Sequence, residues 1–154
     1  NLSKKALINM ASTIGADCAF FIENTPHLAT GIGNILTPID FSLKGKYLVL
    51  VKPDVEVPTK DAYAGITPKK AEHALTLIKA MPLKDWKHVI KNDFETPVFK
   101  KYPKIADLKT QLYEMGAVYA SMSGSGSSVY GIYDNKPDLA NAFDPAYFIF
   151  ETQL

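Results

Sequence analysis

The order of apolar runs predicts an α+β fold: a ferredoxin-like antiparallel sheet with added helices. Three observations carry that expectation. Tyr47-Leu48-Val49-Leu50-Val51 is a continuous apolar run of strand length, as a buried central strand requires. Gly116-Ala117-Val118-Tyr119-Ala120 and Ser128 to Tyr133 are two more strand-like runs, joined by a loop of serines and glycines. From Lys46 onward the elements read strand, helices, strand, strand, helix, strand, which is the split βαβ plan with extra helices in its first crossover.

Each element has its own local signal. Ser3 is placed to cap a helix bearing Leu7, Met10, Ala11 and Ile14 at helical spacing. Gly15 suits the left-handed position beyond its end. His27 to Thr30 and Asn34 to Ile39 read as two strands joined around Gly31-Ile32-Gly33. A polar break at Phe41-Ser42-Leu43-Lys44-Gly45 precedes the central strand, and the domain boundary is expected there, with 1–43 and 44–154 on either side. Pro58-Thr59 opens a short helix with Asp61, Ala62 and Tyr63; Thr67-Pro68 opens another, running through Ala71, Ala74, Leu75 and Ile78. A further short helix is expected at Trp86, Val89 and Ile90. Pro103 starts a helix carrying Ile105, Leu108, Leu112 and Met115, and Gly116 closes it. A helix near Pro137 to Phe143 and a strand from Ala146 to Glu151 are expected to complete the plan.

At 154 residues the chain fits one domain, or one domain and part of another. Its formal net charge of +1 supplies no electrostatic reason to bind nucleic acid or an acidic membrane. One cysteine, Cys18, permits no internal disulfide and suits a reducing, cytoplasmic setting. No apolar run approaches the ~20 residues of a membrane helix. The chain opens at Asn1 and enters a helix almost at once, so an upstream segment is expected. His27, His73 and His88 are too scattered to hold a metal, so no protein-bound metal is expected.

Ser121-Met122-Ser123-Gly124-Ser125-Gly126-Ser127-Ser128-Val129-Tyr130-Gly131 is the stretch with most chemical promise. Gly124 and Gly126 open backbone angles closed to other residues, and a loop of this composition can converge its N–H groups on an anion. It reads equally as a hairpin turn. It is not G-x-G-x-x-G, because Val129 stands at the third glycine, and not Walker A, because Ile132 follows Gly131 where lysine is required. Asp17, in Gly15-Ala16-Asp17-Cys18-Ala19-Phe20-Phe21, follows a helix and reads first as a turn or cap residue; its apolar neighbours raise the second reading, a desolvated carboxylate in need of a partner. Asp93 and Glu95 stand two apart and diverge on a helix, so they read as structural rather than as a catalytic pair.

The serine–glycine stretch resembles the third conserved motif of the small-molecule kinases named for galactokinase, homoserine kinase, mevalonate kinase and phosphomevalonate kinase. The resemblance continues through Gly15 to Phe21, Gly31 to Pro38, Pro58-Thr59, and Asn92-Asp93-Phe94-Glu95, nearly the whole chain. The last two favour the branch whose acceptor is a cytidyl diphosphate sugar alcohol, phosphorylated on its 2-hydroxyl. The resemblance implies that residues 1–43 are a remnant of the N-terminal, nucleotide-binding kinase domain and 44–154 the C-terminal, substrate-binding one. It implies Asp17 as the catalytic carboxylate, although Cys18-Ala19 stands where the family has Val-Pro. It implies Thr59 and Tyr63 as substrate-binding residues, the tyrosine stacking on cytosine. Ser123, Gly124, Ser125 and Gly126 become the phosphate loop at the base of the cleft. ATP and Mg2+ enter as a substrate complex. The first two family motifs are not in this chain, so it is expected to be inactive alone; the apolar helix face and Phe20-Phe21 of the Asn1 to Ile39 segment are expected to be covered by self-association, or that segment to be partly mobile. Two other readings stand beside this one: a non-catalytic ferredoxin-like module that binds a small regulatory ligand, and another kinase of the same superfamily.

Overall fold

The computed structural model describes residues 1–67 and 75–154. They form two compact units, one of Asn1–Ser42 with Leu75–Lys79 and one comprising the rest.

In the first unit, α1 (Lys4–Ile14) starts at Ser3, whose hydroxyl accepts the Ala6 N–H at 3.2 Å. Gly15 departs from expectation: its φ of −173° is extended backbone open to any residue, so the helix ends without a left-handed turn. The short α2 (Phe20–Glu23) ends instead at Asn24, with φ 47°. An antiparallel hairpin follows, β1 (His27–Thr30) with β2 (Ile35–Pro38), in the register His27 to Pro38 and Thr30 to Ile35. Ile14, Phe21 and Ile32 are 82, 73 and 80% exposed, so this unit leaves much apolar surface uncovered.

The second unit is built on β3 (Tyr47–Lys52), flanked by β5 (Val129–Tyr133) and β6 (Phe148–Gln153), with β4 (Tyr119–Met122) outside β5. All pairings are antiparallel and the order is β4-β5-β3-β6. A split βαβ fold demands that order. Among the described residues of the first crossover lie the short helices α3 (Thr59–Ala64), α4 (Trp86–Val89) and α5 (Glu95–Lys101). There α6 (Pro103–Glu114), opened by its proline, leads into β4. Ile105, Leu108 and Leu112 of α6 and Val98 of α5 are buried in one core cluster with Val49, Val51 and Val129. Each such side chain contributes roughly 1.5–3 kcal/mol by leaving water. Near β4, Trp86 meets Tyr119 edge to face at 5.5 Å, and Tyr119 meets Tyr130 at 6.1 Å.

Two of the expected helices are not among α1–α6. The one opened by Thr67-Pro68 falls mostly on residues 68–74, outside the described residues; Leu75–Ala80 form a 3₁₀ turn. The one near Pro137 to Phe143 does not form. Asp138 and Asp144 each turn a carboxylate back on the chain, accepting the N–H of Ala140 and Ala146 at 2.9 Å, and Asn141 takes φ 55°. Local side-chain bonds of this kind compete with the helical ladder. The second crossover is therefore a string of turns.

The buried tyrosines of this core predict its alkaline limit. Burial pushes the phenol of Tyr133, which donates to the Leu112 carbonyl at 3.2 Å, up to about 12 from its ordinary 10.0. Burial raises Tyr119 and Tyr130 in the same direction. A raised folded-state pKa means that the fold prefers the neutral phenol. Its stabilisation is whole below pH 10 and is lost as pH climbs to about 12. Urea midpoints followed with phenolate absorbance should therefore hold steady up to about pH 10 and fall steeply above it. A midpoint unchanged at pH 12 would contradict this burial.

Candidate active site

The loop between β4 and β5 turns at Ser123 to Gly126, where the Gly126 N–H meets the Ser123 carbonyl at 3.0 Å and the Ser123 N–H meets Ser128 at 2.8 Å. Gly124 and Gly126 take φ of 54° and 89°, where a side chain is strained. At Gly126 there is a second reason for glycine: a Cβ would lie 2.8 Å from the Met122 sulfur.

What holds this loop is the Asn92–Glu95 segment. The Asn92 amide donates to the carbonyls of Met122 and Gly124 at 2.9 and 2.8 Å, while its own oxygen accepts the Phe94 N–H at 3.0 Å. One carboxylate oxygen of Glu95 accepts the Met122 N–H at 2.9 Å and the Ser121 hydroxyl at 3.1 Å. The other pairs with Lys109 at 2.6 Å, both side chains being mostly buried. A third contact, from the Tyr113 hydroxyl to the Ala120 carbonyl at 3.1 Å, continues the series along β4. An edge strand presents unpaired N–H and C=O groups on its outer side; here Tyr113 takes the Ala120 carbonyl, Glu95 the Met122 N–H and Asn92 the Met122 carbonyl.

Beside the loop is an open cavity of about 420 Å³, lined by Lys52, Glu56, Thr59, Gly126 and Ser127 with Val55, Val57 and Pro58. It brings together two of the residues expected at a site, Thr59 from the start of α3 and Gly126 from the loop. Ser123, Gly124 and Ser125 do not line it. Neither does Tyr63, which lies one turn along α3, 60% exposed, with its ring edge to face with Phe94 at 4.9 Å. Asp17 belongs to the first unit. Its carboxylate lies against the hairpin turn, where a Cβ on Gly33 would stand 2.7 Å from Oδ1. The apolar neighbours in sequence suggest an enclosed carboxylate, yet Asp17 is exposed: Ala19 turns inward and Asp17 outward. Among the described residues no three His, Cys, Asp or Glu side chains gather as a metal site.

Three residues of this region escape sequence reasoning. Asn92 and Glu95 act on a loop about 30 positions away, and no spacing rule connects them. Lys52 reads only as the end of a strand.

The comparisons agree with this architecture. Residues 74–148 match the family described as GHMP kinases C terminal. A homoserine kinase from Cytophaga hutchinsonii shares the fold over 78% of this chain and 45% of its own, with TM-score 0.56 at 20% identity. Residues 74–148 thus carry the C-terminal domain of the GHMP kinases. Along its whole length it is similar to the 4-diphosphocytidyl-2-C-methyl-D-erythritol kinase of Bacteroides fragilis, 49% identical over 154 residues, 100% of this chain and 56% of that protein. The enzyme of the same name from Parabacteroides distasonis is 55% identical over 81% of the chain and 46% of its own length. The crystal structure of a 4-(cytidine 5'-diphospho)-2C-methyl-D-erythritol kinase superposes with TM-score 0.67 at 26% identity, covering 82% of this chain and 47% of that one. The chain thus spans about half the length of the curated relatives it matches.

The two acids of the Asn92–Glu95 segment should separate by stability. Glu95→Ala strands the Lys109 charge and frees two donors, costing about 2–4 kcal/mol. Asp93 is exposed, and Asp93→Ala should change stability by less than about 0.5 kcal/mol. Urea unfolding of both variants checks the contrast; equal effects would remove Glu95 from its place under the loop.

Proposed function

We propose that the protein containing this chain transfers the γ-phosphoryl group of ATP, taken as its Mg2+ complex, to the 2-hydroxyl of 4-diphosphocytidyl-2-C-methyl-D-erythritol. The observation that carries the proposal is similarity over all 154 residues, at 49% identity, to a relative bearing that enzyme's name. The cavity shared by Thr59 and Gly126 supports it, since an acceptor wall must meet a phosphate loop somewhere.

Phosphoryl transfer asks a protein for positioning and charge stabilisation rather than covalent chemistry. In this reading Asp17 accepts or orients the proton of the attacking hydroxyl. Its exposure leaves the carboxylate free to meet a substrate. Thr59 bonds the acceptor from the first turn of α3. Tyr63 stacks on the cytosine with the ring face that Phe94 leaves open. Ser123 to Gly126 hold phosphate at the base of the cleft. The 154 residues alone turn over no substrate, because the upstream half of the protein supplies the triphosphate grip. The protein works in the cytoplasm, and when the chain is isolated its uncovered apolar faces drive self-association. Small molecules are its partners, with no role for nucleic acid or membrane.

Two substitutions in the full-length protein test this from opposite ends. Asp17→Asn should lower turnover by about 10²–10⁴ with little change in either Michaelis constant. Tyr63→Ala should weaken the cytidyl substrate by about 5- to 150-fold, the worth of a base–aromatic stack, and leave the constant for ATP unchanged. Near-normal turnover in the first, or equal loss for both substrates in the second, would sink the corresponding role.

A further inference from the structure

Lys52 ends β3, one of the two internal strands of the sheet, and its register across β6 falls on Phe148. A side chain on such an element is held by the sheet rather than by a loop. Six other lysines, at 4, 46, 101, 104, 109 and 136, are each engaged by a carboxylate. Lys52, like Lys60, Lys91 and several other lysines, has no carboxylate within ion-pair distance among the described residues; what sets it apart is that, among those residues, it is the one cation lining the cavity beside the serine–glycine loop. The same cavity takes in Thr59, and Tyr63 lies four residues further along α3, about 6 Å along the helix axis. A nucleotide whose base rests on Tyr63 would run its diphosphate back past Thr59 into this space.

We propose that Lys52 binds the diphosphate of the cytidyl substrate and so makes the site prefer a nucleoside diphosphate to the bare nucleoside. This rests on the substrate reading above and adds a residue to it. An ammonium is a compact point charge well matched to a phosphate oxygen. Glu56, the carboxylate on the same cavity, opposes an anion there. The two residues therefore have opposite expected signs, which a general loss of folding would not reproduce.

The test is calorimetric titration of the full-length protein with CDP and with cytidine. The wild type should bind CDP more tightly than cytidine. Lys52→Met should weaken CDP by about 10- to 100-fold, the worth of a charge-assisted bond, with cytidine unchanged. Lys52→Arg should recover part of the loss, and Glu56→Gln should tighten CDP alone. If Lys52→Met weakens CDP and cytidine equally, or acts on ATP instead, the assignment of Lys52 is wrong while the cytidyl site stands. If the wild type binds neither probe, the substrate reading and this inference fall together.

Discussion

The serine–glycine loop is held from outside its own chain segment, and the second unit is arranged to make that possible. Strand β4 is an edge, so its outward N–H and C=O groups need partners that no strand supplies. Glu95 and Asn92 supply them at the point where the strand ends and the loop starts. Glu95 is itself tied to Lys109 on α6, the helix that packs Ile105, Leu108 and Leu112 into the core. The loop is thereby referred to the hydrophobic core through one carboxylate. A glycine-rich loop loses much backbone entropy when ordered, and these bonds offset part of that cost before any ligand arrives.

The parts of this fold that were legible in sequence are those set by local rules. Ser3 capping α1, Pro103 opening α6, the apolar run of β3 and the glycines of both turns each act within a few residues. The strand order followed from element order, because split βαβ connections leave few antiparallel solutions. Local rules failed where two of them competed. Pro137 to Phe143 has helical spacing, but Asp138 and Asp144 bond their own backbone and prevail. Gly15 suits a left-handed cap, yet α1 ends in extended backbone. Of the candidate site, Thr59 and Gly126 were legible and share a cavity. Lys52 was not, because a strand-terminal lysine is ordinarily a solubilising group. Asn92 and Glu95 were legible as a motif and not as a mechanism, since their partners lie about 30 residues on.

The two units differ in how well they satisfy themselves. The second has a buried core and sheet pairings on both sides of β3. The first has the helices α1 and α2 and a two-stranded hairpin, and these expose large apolar side chains. A family likeness that covers about half of each curated relative fits that difference. Asp17 belongs to the first unit and the serine–glycine loop to the second.

Whether Asn92 orders the loop is read directly by amide hydrogen exchange at single-residue resolution. Asn92→Ala deletes the bonds to the Met122 and Gly124 carbonyls and leaves the loop's own turn bond, Gly126 N–H to Ser123, intact. In that variant exchange at Gly126 and Ser123 should be faster by about 10-fold or more, with the β3 amides of Val49 and Val51 unaffected. Unchanged protection at Gly126 would show that the loop orders itself without Asn92.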